Sequence, residues 1–308
     1  MKILVMGAGA VGAYFGARLQ QAGEQVILCA RGENLRALKA RGLSFKSYQG
    51  DFSLAVTATG EPGEFAPYDL ILFCVKSYDT AVAARMLAGC LNPGGVILTL
   101  QNGVENELLL TELFGRDAVM GGNSRVGAEL VAPGEVVHRT GGLIEFGELD
   151  GRDTERAQRI AEMFRRAGIF GTLTMRLSTI RWEKLLWNAA FNTVATLTHC
   201  NVGTLIDDPA AVELLRALMH EIAAVARAEG VELGEAQVEA QITRSRASLR
   251  TVRPSTLQDS ERGKPLEYEA LCGAVVRAGR RHQIATPHMD AIYALMKMLD
   301  RNLQHKST

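Results

Sequence analysis

Residues 1–16 read MKILVMGAGAVGAYFG: a short apolar run, a glycine-rich turn and the start of a helix. Lys2-Ile-Leu-Val-Met6 is long enough for a buried strand, and Gly7-Ala8-Gly9-Ala10-Val11-Gly12 follows without a break. A helical stretch then runs through Gln21. Strand, GxGxxG and helix in this order form the dinucleotide-binding fingerprint. Gly7 permits the tight turn, Gly9 lets backbone approach a pyrophosphate, and Gly12 lets the helix lie close to the strand. The free amides and positive dipole end of the helix then face the anion. A secretory signal would also place a cation and an apolar run at the start. Four glycines by residue 16 make a poor signal helix, and Glu24-Gln-Val-Ile-Leu-Cys-Ala30 continues as a natural second strand.

The end of that second strand reads the adenosine ribose. An acidic residue there bonds the 2′-hydroxyl of NAD, and a basic one suits the 2′-phosphate of NADP. No Asp or Glu lies between Gln25 and Gly32, and Arg31 occupies the reading position. Its guanidinium offers two parallel hydrogen bonds to a phosphate, so NADP is the expected cofactor. Glu33 stands near enough to compete for a hydroxyl, and a solvated surface arginine is the plainer reading of Arg31.

Composition narrows the class. The chain has 308 residues, enough for two domains. Its hydrophobic fraction of 47% supplies substantial cores, and its formal charge is zero. The absence of a long basic block argues against a nucleic-acid partner. No apolar run reaches the roughly 18 residues of a membrane span. The five cysteines show no CxxC and fit buried free thiols in a reducing cytoplasm. The six histidines show no metal-ligand spacing, so no metal is expected.

The first half alternates strands and helices. Leu70–Val75 and Gly95–Leu100 read as buried strands, with helical stretches at Ser77–Leu91 and Val104–Phe114. Gly42–Thr59 reads as a hairpin insertion turning near Gly50. From Asp117 to Gly147 the pattern is short strands, with Pro133-Gly134 and Gly141-Gly142 as turns. A helix over 153–167 and a strand over 170–175 close this half. After Arg176 nearly everything is helical: about 179–198, 209–229, 235–248, 267–281 and 287–303. The expected architecture is α/β, with an N-terminal Rossmann-type doubly wound sheet over residues 1–176 and an all-helical C-terminal domain over 177–308.

Ligands of open α/β sheets bind beyond the carboxyl ends of the strands. Lys76 and Asn102 stand at two such ends, as candidate contacts to cofactor phosphate or ribose. An exposed cap and a turn-former are their plainer readings. In the helical half, Ile180-Arg-Trp-Glu-Lys184-Leu-Leu-Trp-Asn188-Ala-Ala-Phe-Asn192 sets Lys184, Asn188 and Asn192 at i, i+4 and i+8, one helix face amid apolar neighbours. Polar groups buried there without partners would cost about 1–3 kcal/mol each, and a polar substrate would supply partners. A solvated polar stripe has the same spacing.

These segments together resemble the ketopantoate reductase family. GAGAVG, CVKS at 74–77, LQNG at 100–103, WEKLLWNAAFN at 182–192, STLQD at 255–259 and the PLEYEALCG containing Glu267 are similar to that family in order and spacing. The resemblance implies Lys184 as general acid and Glu267 as a catalytic carboxylate beside cofactor and substrate. It implies Asn188, Asn192 and Ser255 as substrate-binding residues, and Lys76, Asn102 and Arg31 as NADP contacts. A further family asparagine matches Asn201 only after a one-residue shift. The implied reaction is NADPH-dependent reduction of 2-dehydropantoate to (R)-pantoate in pantothenate and coenzyme A synthesis; the cysteines suit a cytoplasmic enzyme, and the apolar helical half leaves a homodimer open. Reduction of another 2-keto acid or an imine on the same fold competes with it, as does a non-catalytic NADP-binding regulator. The lysine and glutamate argue against the regulator, which needs no proton donor.

Overall fold

The computed structural model describes residues 1–306, and it places the opening apolar run inside a sheet. Ten strands form that sheet among the described residues: β1 (Lys2–Met6), β2 (Gln25–Cys29), β3 (Leu43–Ser47), β4 (Phe52–Leu54), β5 (Thr57–Thr59), β6 (Tyr68–Phe73), β7 (Leu91–Thr99), β8 (Val119–Ala132), β9 (Glu135–Glu148) and β10 (Phe170–Leu173). Ile3 and Val5 of β1 enter one apolar cluster, while Leu4 and Met6 enter another. Alternate side chains that both find apolar neighbours bury the strand on both faces. The order is β4-β3-β9-β8-β7-β6-β1-β2-β5, with β10 paired to β9. Pairing is parallel from β5 through β8 and antiparallel between β8 and β9. Helices α1 (Ala10–Gln21), α2 (Gly32–Arg41), α3 (Thr80–Arg85), α4 (Asn106–Phe114) and α5 (Glu155–Arg166) belong to this part of the chain. It is the α/β Rossmann-type half expected above.

The chain divides into two compact units. One comprises Met1–Gln101 and Asn106–Leu177, the other Asn102–Glu105 with everything from Ser178 onward. The second unit is helical: α6 (Leu177–Trp187), α7 (Thr193–Thr198), α8 (Val202–Asp207), α9 (Pro209–Ala228), α10 (Glu235–Ser248), α11 (Ser255–Glu261), α12 (Ala274–Arg281) and α13 (Pro287–Lys306). At the start of α9, Asp208 accepts from the Ala211 amide at 2.9 Å and Pro209 supplies a preset first turn. From there α9 sends Leu215, Leu218, Met219 and Ile222 into the unit's core, each fully buried.

Three local readings change. The hairpin is confined to β3 and β4, with Gly50 at φ 114° in its turn, and β3 pairs in parallel with β9, so the hairpin extends the sheet. Thr57–Thr59 belongs to the opposite edge, beside β2. The helix expected over 77–91 shortens to a 3₁₀ turn (Ser77–Asp79) and α3, since Gly89 turns at φ 72° and β7 begins at Leu91. Residues 119–148 form two 14-residue strands turning only at Pro133-Gly134. Gly141-Gly142 is a bulge inside β9, not a turn. Arg125 faces Leu143 and Val126 faces Gly141, which leaves Gly142 unpaired. Gly142 sits at φ 117°, and a methyl there would lie 2.1 Å from the Tyr14 hydroxyl, on a ring that is itself buried.

Strain and overlap coincide at that bulge. Gly142→Ala is therefore expected to lower stability by about 1–3 kcal/mol or more. A shifted urea midpoint at unchanged slope would register this, and an unchanged midpoint would refute it.

Candidate active site

The glycine turn is built from backbone contacts. Gly7 turns at φ 98°, and a methyl on it would lie 2.7 Å from the Val75 amide nitrogen. A methyl on Gly12 would lie 2.3 Å from the Gly7 carbonyl oxygen and 2.7 Å from Val5 Cγ1. The amides of Gly7 and Ala8 donate to the Cys29 carbonyl at 3.2 and 2.8 Å, pinning the turn to the end of β2. Gly9 differs from both. Its backbone is extended, at φ −76°, and a methyl there would meet nothing within 4 Å. The first bond of α1 runs from the Ala13 amide to the Gly9 carbonyl at 2.8 Å. The amides of Ala10, Val11 and Gly12 thus precede any intrahelical acceptor. No side chain caps this turn, and it holds no acidic residue. Open space at Gly9 beside an uncapped helix start fits a pyrophosphate.

At the end of β2, Arg31 is exposed and heads α2. Its Nη2 donates to Asp79 Oδ2 at 2.6 Å and its Nη1 to Oδ1 at 3.4 Å. Glu33, the competitor noted in the sequence, is engaged by Arg36 on the surface. Lys76 is half-buried where β6 gives way to the 3₁₀ turn, and its carbonyl accepts from the Asp79 amide at 2.9 Å. Buried Gln101 braces this segment, donating from Nε2 to the Val75 carbonyl at 3.0 Å and to Thr80 Oγ1 at 2.8 Å.

Asn102 falls in the segment that belongs to the helical unit. Val104 packs in that unit's core, and the Gly103 carbonyl accepts from Arg181 at 2.7 Å. Glu105 accepts from Arg277 at 2.7 Å and from Arg281 at 3.2 Å.

The polar row of the second unit is buried. Asn188 is 9% and Asn192 3% exposed, while Lys184 is half-buried. A solvated stripe does not describe the two asparagines. The helix carrying them is not a regular α-helix: α6 and α7 join through a π turn over Asn188–Asn192. Residues four apart in an α-helix are offset by about 40° around its axis, and the wider π turn reduces that offset. π turns recur at functional sites. A second one, Glu269–Gly273, packs against the first. Glu267, 5% exposed, lies just before it. Trp187 stacks on Phe191 with centroids 5.1 Å apart and donates to Ser245 Oγ at 2.9 Å, which fixes the wall beside the row.

Asn192 holds a buried acceptor without a hydrogen bond. Its Nδ2 reaches Thr256 Oγ1 only at 3.5 Å, and its Oδ1 is buried with no hydrogen bond. Ser255, the hydroxyl expected in the set, begins α11 and is exposed, whereas Thr256 is the buried hydroxyl facing Asn192. Asn201 caps α8, accepting from the Thr204 amide at 2.9 Å.

One unit thus carries Gly7–Gly12, Arg31 and Lys76, and the other carries Asn102, Lys184, Asn188, Asn192, Ser255 and Glu267. Sequence reading missed Asp79, Gln101, Thr256 and the π turns. The Gln in LQNG and the Thr in STLQD were visible, but their partners lie 21 and 64 positions away. Among the described residues, no cluster of His, Cys, Asp or Glu could hold a metal. All five cysteines are free, and burial pushes the Cys29 thiol up to about 11 and the Cys272 thiol up to about 12.

Residues 3–151 match a family described as ketopantoate reductase PanE/ApbA, and residues 176–300 match ketopantoate reductase PanE/ApbA C terminal. A 2-dehydropantoate 2-reductase of Archaeoglobus fulgidus is 35% identical, covering 92% of each chain. One of Halobacterium salinarum is 34% identical over 98% of this chain and all of its own. A solved PanE/ApbA family ketopantoate reductase of Ralstonia eutropha JMP134 has a TM-score of 0.92 at 35% identity, over 99% of this chain and 100% of that one.

The two inner glycines separate folding from binding. Gly12→Ala is expected to destabilise the protein by about 1–3 kcal/mol through backbone overlap. Gly9→Ala should leave the melting temperature unchanged but, if the open space beside it takes the pyrophosphate, weaken NADPH binding by roughly tenfold or more. Thermal melts and cofactor titrations on both variants check the contrast.

Proposed function

The chain belongs to the ketopantoate reductase family, and on that premise we propose that it reduces 2-dehydropantoate to (R)-pantoate with NADPH, in the synthesis of pantothenate and coenzyme A. The observation that carries the reading is the buried row on α6 and its π turn, where Asn192 Oδ1 lacks a partner. A buried acceptor left unmade costs about 1–3 kcal/mol, and a substrate hydroxyl would remove that cost. The keto acid has such a hydroxyl, besides its carboxylate and ketone.

NADPH held by Gly7–Gly12, Arg31, Lys76 and Asn102 supplies the hydride. Charge then builds on the ketone oxygen, and Lys184 is proposed to donate a hydrogen bond to it and then a proton. Asn188, Asn192 and Ser255 are assigned to the carboxylate and hydroxyl, so that one face of the ketone is presented. Glu267 is proposed as the catalytic carboxylate of the set. We place the enzyme in the cytoplasm, on the strength of its five free thiols. Among the described residues, no helix is long and apolar enough to cross a membrane. A homodimer built on the helical half is proposed with it, and sedimentation would test it.

A panel of 2-keto acids assayed with NADPH and NADH tests the assignment. Ketopantoate should give the highest kcat/KM, and turnover confined to other keto acids would overturn the substrate. Lys184→Ala is expected to cut kcat by roughly 10²–10⁴-fold, the usual worth of general acid catalysis, with NADPH affinity unchanged. Near-wild-type kcat in a folded variant would remove the lysine from the mechanism.

Asn192→Leu keeps the γ-branched outline with bulkier methyl ends, and removes the orphan acceptor together with the Nδ2 donor. It should weaken keto-acid binding by about 1–3 kcal/mol. A calorimetric titration showing unchanged affinity would make Asn192 a packing residue only.

A further inference from the structure

The second strand ends without an acid of its own, yet a carboxylate stands at that place. It is Asp79, 48 positions further along the chain, and it grips both terminal nitrogens of Arg31. The two partners are held very differently. The Arg31 side chain is 81% exposed on a long stem, while that of Asp79 is 25% exposed. Asp79 sits in a braced turn: its amide donates to the Lys76 carbonyl, and Thr80 Oγ1 donates to the Ser77 carbonyl at 2.8 Å. Gln101 holds Thr80 and the Val75 carbonyl from below. The carboxylate is therefore the fixed partner and the guanidinium the mobile one. Although Asp79 precedes α3, its side chain caps nothing there.

We infer that Asp79 is a specificity-determining residue that limits how strongly the enzyme prefers NADPH over NADH. This rests on the proposed reading that Arg31 meets the 2′-phosphate. A phosphate is best bound by the same parallel pair of donors that Asp79 already occupies. NADPH must trade the carboxylate for its phosphate and bring a second anion beside Asp79. NADH has no 2′-phosphate and leaves the Arg31–Asp79 pair intact, with a carboxylate near the ribose hydroxyl. The same arginine thus favours NADPH less than it would with an uncharged neighbour.

The test is binding of cofactor alone, by fluorescence titration of NADPH and NADH on the wild type, Asp79→Asn, Arg31→Ala and the double variant. Asp79→Asn should tighten NADPH by about fivefold, equivalent to the ~1 kcal/mol at the upper end for an exposed ion pair, and should not tighten NADH. The gain should vanish in the Arg31→Ala background, as coupling between touching residues requires. NADPH affinity unchanged or weakened by Asp79→Asn, an equal gain for NADH, or a gain that survives without Arg31 would each overturn the proposal. Arg31→Ala alone reports on the underlying reading. If it leaves the NADPH-to-NADH ratio unchanged, Arg31 does not read the phosphate. If it lowers the ratio while Asp79→Asn changes nothing, only the role of Asp79 falls.

Discussion

The nucleotide-binding half depends on a place where no side chain fits. Gly12 of α1 lies so close to the Gly7 carbonyl and to Val5 that a methyl group would overlap both. That approach sets the helix directly behind the turn and aims its first amides outward, past Gly9. The turn is also bonded to the end of β2 through the Cys29 carbonyl, which keeps Arg31 next to the glycines. The glycine turn and the position of Arg31 thus descend from one backbone contact. Dispersion and burial around it, from Ile3, Val5, Phe15 and Leu28, hold the arrangement rigid.

The helical half meets the opposite problem, how to keep polar groups inside. Asn188, Asn192, Thr256 and Glu267 are all buried in a unit that also has a large apolar core. Burial of such groups is tolerated when they are hydrogen-bonded and costs about 1–3 kcal/mol when they are not. The π turn bends the usual helical spacing at this point, and its packing on a second π turn makes the distortion a property of two elements. An irregularity held in this way is stable without being locally favoured.

Ion pairs lie mostly at the surface. Glu105 takes two arginines and so fastens the segment carrying Asn102 to the helices of its own unit. Arg31 and Asp79 form an exposed pair of the same strength class, about 0–1 kcal/mol. That is too little to hold a fold and enough to bias a choice between two cofactors.

Strand-turn-helix order, the glycine spacing, the lack of an acid at the end of β2 and the helical character after Arg176 were all legible in the chain. Each is a local property, set by the periods of 2 and 3.6 residues and by which backbone angles glycine permits. The face shared by Lys184, Asn188 and Asn192 was legible for the same reason. The burial of the asparagines, the π turn beneath them and the exposure of Ser255 beside buried Thr256 were not. Those depend on what packs against the helix, and α11 comes from some sixty residues further on. Gly141-Gly142 looked like a turn because glycine pairs mark turns in isolation, yet inside the sheet it is a bulge lying close against Tyr14, far away in sequence. The acid paired with Arg31 came from a 3₁₀ turn 48 positions further along the chain. Local pattern decided which elements form and which cofactor class they suit. Contacts between distant residues decided which polar atoms are buried, paired or unpaired, because no sequence period encodes them.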